Sequence, residues 1–108
     1  MTTVPFDTFA SLDLRIALVE SAEAHPNADR LLVLRIRMGE DRRQLVAGIR
    51  GHYEAEDLVG RKIVVVANLE PATIRGVESQ GMLLAVKDGD RVVLLAPDGD
   101  VADGSAVS

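Results

Sequence analysis

Few residues in this chain are of the types that do covalent chemistry, and their spacing joins none of them into a site. His25 and His52 are the only histidines and stand 27 positions apart, with no local partner completing a metal or triad pattern. Both are expected to be surface or loop residues without catalytic work. The repeated Asp-Gly-Asp at 88–90 and 98–100 is a fragment of a calcium-loop pattern without the remaining ligands or the terminal Glu. Asp-Gly is a preferred turn pair, so hairpin turns explain the repeat better. There is no Gly-rich phosphate loop, no GxSxG and no HExxH. The absence of cysteine excludes disulfides and cysteine-ligated metal sites. The expectation is a non-catalytic chain without a cofactor.

Non-covalent recognition has more to stand on. In HPNADR, Pro26 ends an apolar alternation, Asn27 and Asp29 favour turn geometry, and Arg30 stands at the loop exit. Arg35 and Arg37 follow at outward positions of the next strand, so the three arginines are candidates for a phosphate-positioning surface. A second polar stretch separates the apolar runs around Val65 and Leu84. It holds Glu70, Arg75, Ser79 and Gln80, with glycines at Gly76 and Gly81. It is too long for a simple hairpin loop, which needs two to five residues.

The elements that must position these loops read mostly as strands. Leu12, Leu14, Ile16 and Leu18 alternate with Asp13, Arg15 and Ala17, and the first set is expected to face the core. Leu32, Leu34, Ile36 and Met38 form the inward set of a second strand. After the turn at Gly39, RRQLVAGI returns as a third. HYEAEDLVG reads as a short helix stopped by Gly60. RKIVVVANL is continuously apolar at its centre and is expected to be buried on both faces. GMLLAV and RVVLLA follow, and the last dozen residues hold turn signals and one short strand. Phe6 and Phe9 are expected to pin the N-terminal segment to the barrel or to a partner. Tyr53 reads as a packed residue at the helix entry.

Three strands, a short helix and further strands give an all-β chain. The order fits an OB-fold, a five-stranded Greek-key barrel, here with one short helix and extra C-terminal strands. On pattern alone, a split β-sandwich with the same strand count is also compatible. In an OB barrel the loops joining strands one and two, and four and five, flank the binding face. These are the two polar stretches above. Residues 1–108 are expected to form one domain, a length that supports a core without staples.

The net charge of -5 counts against a nucleic-acid partner, although local clustering matters more than the sum. Ten of the twelve basic residues are arginine, the better fork for phosphate. With only two phenylalanines and one tyrosine, base stacking along a general single strand is disfavoured. A nucleic-acid ligand would instead be a folded RNA read by backbone and shape. No apolar run approaches a membrane span and the N-terminus has no signal-peptide pattern, so a soluble cytoplasmic protein is expected.

FDTFASLDLRIALVESAEAHPNADRLLVL, RRQLVAGI, LVGRKIVVVANL and RGVESQGMLLA, in this order, closely resemble the tRNA-binding domain family. That family includes the appended domain or β subunit of methionyl-tRNA synthetases and stand-alone proteins of this size. The resemblance implies an OB fold, a homodimer, and binding of tRNA by shape rather than sequence. It also implies a methionyl-tRNA synthetase catalytic chain as a partner. It places Asn27, Arg30, Ser79 and Met82 on the tRNA face, with Asn68, Arg75 and Gln80 in matching motifs. Where family members read LKPAKLRG this chain reads LEPATIRG, so Glu70 and Thr73 stand at commonly basic positions. That departure implies weaker tRNA binding, a site displaced toward Arg30, Arg35 and Arg37, or a protein-interaction or chaperone-like role.

Overall fold

The computed structural model describes residues 1–108. Its centre is β1 (Leu14–Ala24), an eleven-residue strand that serves two neighbours in turn. Its first half pairs antiparallel with β4 (Lys62–Val66), from Leu14↔Val66 to Leu18↔Lys62. Its second half pairs with β2 (Leu32–Met38), from Leu18↔Arg37 to Ala24↔Leu32. The change of neighbour is made at a bulge. Val19 faces Ile36 and Ser21 faces Arg35, so Glu20 is the extra residue. A bulge bends a strand and increases its twist, which is how one strand serves both halves of a barrel.

β2 returns through β3 (Asp41–Ala47), and β4 pairs with the two-residue β7 (Met82–Leu83), giving the path β3-β2-β1-β4-β7. This is the curled antiparallel sheet of an OB fold. Two hairpins are added to it. One comprises β5 (Ala72–Ile74) and β6 (Val77–Ser79), the other β8 (Ala85–Asp88) and β9 (Arg91–Leu94). The final β10 (Ala106–Val107) pairs with the start of β1. The helix expected after the third strand is α2 (Ala55–Leu58), and Gly60 follows it at φ +90°. A helix that the sequence reading lacked, α1 (Phe6–Ala10), precedes β1. Phe6 and Phe9 lie on it with ring centroids 6.1 Å apart. Phe6 is 75% exposed, so the pair does not pin this segment to the barrel.

The core bears out the second and fourth strands. Leu32, Leu34, Ile36 and Met38 enter one cluster with Leu45, Leu58, Ile63 and Val65. All four residues from Ile63 to Val66 are buried. The phase assigned to the first strand is corrected. Ala17 and Val19 point into the cluster, whereas Leu14 and Leu18 are only half-buried. Ile16 is buried on the opposite face, where its backbone bonds to the C-terminal strap through Gly104 and Ser105. A strap covering the outer face erases the polar/apolar alternation that the phase depends on.

The strap is fastened by charge. The Asp103 carboxylate accepts from Arg37 Nε and Nη2, both at 3.2 Å, and from the Gly39 amide at 2.8 Å. Lys62 Nζ holds Asp100 at 2.8 Å. The Arg37 bond, followed by that from Gly39, lowers the Asp103 carboxyl from 3.8 to about 2. The stabilisation it gives the fold is complete above the unfolded carboxyl's value near 4. It is lost as pH falls from there through about 2. Melting temperatures measured against pH should therefore drop more steeply over this window for wild type than for Asp103→Asn. Above pH 5 the variant should melt lower. Parallel curves across the acid limb would show that Asp103 does not fasten the strap.

Candidate nucleic-acid interface

The loop between β1 and β2 and the β5–β6 hairpin meet at one end of the barrel, and His25 joins them. It is only 3% exposed. Its Nδ1 accepts the Asn27 amide at 2.9 Å, which requires Nε2 to carry the ring proton. That proton is donated to the Ile74 carbonyl, 2.9 Å away on the hairpin. Asn27 Nδ2 donates to the Arg75 carbonyl at 3.3 Å, and Arg75 Nη2 donates back to the Asn27 carbonyl at 3.2 Å. Four hydrogen bonds thus make one unit of the first loop and the hairpin tip. The tip is a two-residue turn with positive φ at both Arg75 (+52°) and Gly76 (+89°), the geometry that matches strand twist. Arg75 is the only non-glycine residue with positive φ. His25, expected as a surface or loop residue without catalytic work, lies in the loop but is buried there, as the tie between loop and hairpin.

The long polar insertion is therefore structured, and its second half closes the barrel. The Gln80 amide donates to the Gln44 carbonyl at 2.8 Å. The Gln44 amide donates to Gln80 Oε1 at 3.0 Å, and the Val46 amide donates to Ser79 Oγ at 3.0 Å. Ser79 Oγ donates in turn to the Gly81 carbonyl. Side chains here take over the role of a strand ladder along the outer edge of β3. Gly81 follows at φ +136°, and a Cβ on it would stand 2.9 Å from the Val66 carbonyl oxygen.

The nine residues singled out in the sequence separate into groups. Ser79 is buried, and its hydroxyl and the Gln80 side chain are spent on β3. Asn68 ties α1 to the barrel, accepting the Asp13 amide and donating to the Ser11 carbonyl. Arg37 is held by Asp103, with Glu20 nearby at 3.9 Å. Asn27, Arg30 and Arg75 line one groove of about 410 Å³. Arg35 is exposed in a different concavity, beside Arg42, Arg43 and Glu78. The expected convergence of Arg30, Arg35 and Arg37 is thus replaced by Arg30 with Arg75. Met82 is 48% exposed at the start of β7. It lines an apolar cleft of about 440 Å³ with Ile49, Leu69, Ile74 and Leu83.

Ion pairing separates the engaged cations from the free ones. Six of the twelve basic side chains are ion-paired, namely Arg15, Arg37, Arg42, Arg43, Lys62 and Arg91. Arg30, Arg50 and Arg75 have no such partner, and the Arg50 amide donates to the Arg30 carbonyl at 3.3 Å. Sequence reasoning did not single out Arg50, which stands outside every motif, and did not foresee that His25 is buried within its loop. For His25 a signal existed: a histidine directly before Pro-Asn can use its ring within the turn. No group of three or more His, Cys, Asp or Glu side chains is placed to hold a metal ion. No helix is long and apolar enough to cross a membrane.

Fold and site together define an OB-fold domain that presents two interlocked polar loops at one end. The family described as "Putative tRNA binding domain" matches residues 14–106. The methionine–tRNA ligase of Thermococcus kodakarensis is 52% identical over 107 residues, 99% of this chain and 14% of the ligase. That of Thermotoga maritima is 54% identical over 105 residues, 97% of this chain and 17% of the ligase. This chain thus spans about a sixth of those relatives or less. A crystal structure of a MetRS-related protein from Pyrococcus horikoshii superposes with a TM-score of 0.93 at 33% identity, covering both chains fully. The chaperone CsaA of Bacillus anthracis superposes at 0.89 with 36% identity, over 99% of this chain and all of CsaA. The chain belongs to the tRNA-binding domain family, as its motifs implied.

Proposed function

We propose that this domain is a non-catalytic module that holds tRNA by its backbone and shape, acting in the cytoplasm with a methionyl-tRNA synthetase catalytic chain. Bringing tRNA to a tethered partner raises its effective concentration there without any new catalytic contact. The observation that carries this reading is the locked pair of loops, which sets Asn27, Arg30 and Arg75 around one groove with neither guanidinium in an ion pair. A fixed spacing of cations suits a rigid folded RNA, in which phosphate contacts position the ligand and base identity matters little. Arg35 and the half-exposed Met82 are flanking contacts in this proposal. Asn68, Ser79 and Gln80 contribute by holding the frame. A homodimer is part of the same reading, supported by the exposed apolar side chains of Val4, Phe6 and Phe9 on the N-terminal segment.

Titration of total tRNA by gel shift at several salt concentrations tests it. Arg30→Ala is expected to weaken binding about tenfold, the loss of one charge-assisted hydrogen bond. Asp98→Ala should leave binding unchanged. Equal affinities for wild type and the Arg30 variant would remove Arg30 from the site. A second reading, a protein-interaction or chaperone-like module, is supported by the likeness to CsaA and by the apolar cleft with Glu70 at its wall. It predicts recovery of protein rather than RNA after nuclease treatment.

A further inference from the structure

We infer that Arg50 is a third phosphate-contacting side chain of the same RNA site, so that the footprint extends from the first loop onto the chain leaving β3. The inference rests on the tRNA-binding reading above and adds a residue that no family motif supplies.

The backbone at Arg50 is fixed while its side chain is free. Ile49, directly before it, is buried in the core, and the Ile49 carbonyl accepts the amides of both His52 and Tyr53, at 3.0 and 3.1 Å. The Arg50 amide is spent on the Arg30 carbonyl, which sets the two residues side by side on neighbouring segments. The side chain is exposed and forms no ion pair, unlike half of the chain's cations. An arginine with an anchored backbone and a free guanidinium can meet a phosphate at little ordering cost to the chain.

The acidic residues nearby give the footprint an edge. Arg50 also lines a concavity of about 540 Å³ with Asp29, Glu54 and Glu56. A phosphodiester is repelled from that side. Asp29 also lines the groove of Arg30 and Arg75 as its one carboxylate, so the two concavities adjoin there and a phosphate meets the least negative charge when it reaches Arg50 from the Arg30 side. A phosphodiester backbone running across Arg75, Arg30 and Arg50 meets three arginines on neighbouring, hydrogen-bonded segments.

The test is tRNA affinity as a function of salt for wild type, Arg50→Ala, Arg30→Ala and Arg91→Ala, the last an exposed arginine already paired with Asp88. Arg50→Ala should weaken binding several-fold and to the same extent across tRNA species, and reduce the slope of log affinity against log salt by about one. Arg91→Ala should match wild type. If Arg30→Ala lowers the slope while Arg50→Ala leaves affinity and slope unchanged, Arg50 lies outside the footprint and the inference is overturned, with the tRNA reading intact. Failure of wild type to bind tRNA even at low salt would overturn both. Arg50 is exposed, so melting curves of the two arginine variants should overlay that of wild type.

Discussion

Gly81→Ala should lower the melting temperature by about 10–20 °C, a large effect for a single added methyl. At φ +136° the residue sits where side chains other than glycine's are strained by about 1–3 kcal/mol. The new Cβ would also stand 2.9 Å from the Val66 carbonyl oxygen and 3.3 Å from Leu45 Cδ2, so backbone must move to admit it. Together these cost about 3 kcal/mol or more, and each kcal/mol shifts the midpoint by about 4–8 °C in a domain of this size. Gly76→Ala separates the two causes. Gly76 also has positive φ, but its Cβ would meet nothing nearer than Asn27 Nδ2 at 3.6 Å. Its melting temperature should fall by less than half as much. A Gly81→Ala protein that melts with wild type would mean the β4–β7 seam does not limit stability.

Replacing His25 should damage both stability and tRNA binding. In His25→Ala the Asn27 amide and the Ile74 carbonyl lose their partners, and a cavity is left where the ring was. An unsatisfied buried polar group costs about 1–3 kcal/mol, and the missing volume adds to it. With the ring gone, loop and hairpin are held by the two exposed bonds between Asn27 and Arg75 alone, and the spacing of the site loosens. Affinity for tRNA is expected to fall by more than the tenfold of Arg30→Ala. His25→Leu restores volume without hydrogen bonds, so it should recover part of the stability and little of the affinity. Hydrogen exchange should then quicken at residues 25–31 and 72–79 while the β2 amides stay protected. Full recovery of binding by leucine would show that packing alone, and not the tie, shapes the site.

What could be read from the sequence was the part set by local pattern. Leu32, Leu34, Ile36 and Met38 alternate without interruption, and Ile63–Val66 is apolar throughout, so both strands were legible. β1 was legible as a strand but not in its phase, because Glu20 is a bulge and the strap covers Ile16 from a segment about ninety residues away. The same distance problem governs the site. Arg37 looks as available as Arg35 until Asp103, 66 residues on, takes its guanidinium. Ser79 and Gln80 look like exposed recognition residues beside a glycine, and only the folded chain shows them bonded to Val46 and Gln44. Family motifs mark positions that matter without separating those that touch a ligand from those that hold the frame. Arg50 lies in no motif, so only its place beside Arg30 gives it meaning.

The side-chain seam at Ser79 and Gln80 also governs how this protein behaves when crowded. β3 is one of the two terminal strands of the sheet path, and a bare terminal strand is a template for addition of strands from other molecules. Here the outward amides of Gln44 and Val46 are already occupied, and the Gln44 carbonyl is occupied by Gln80. A foreign strand would have to displace three internal bonds to gain a foothold. This border of the sheet, at β3, is closed to strand addition by the residues that close the barrel.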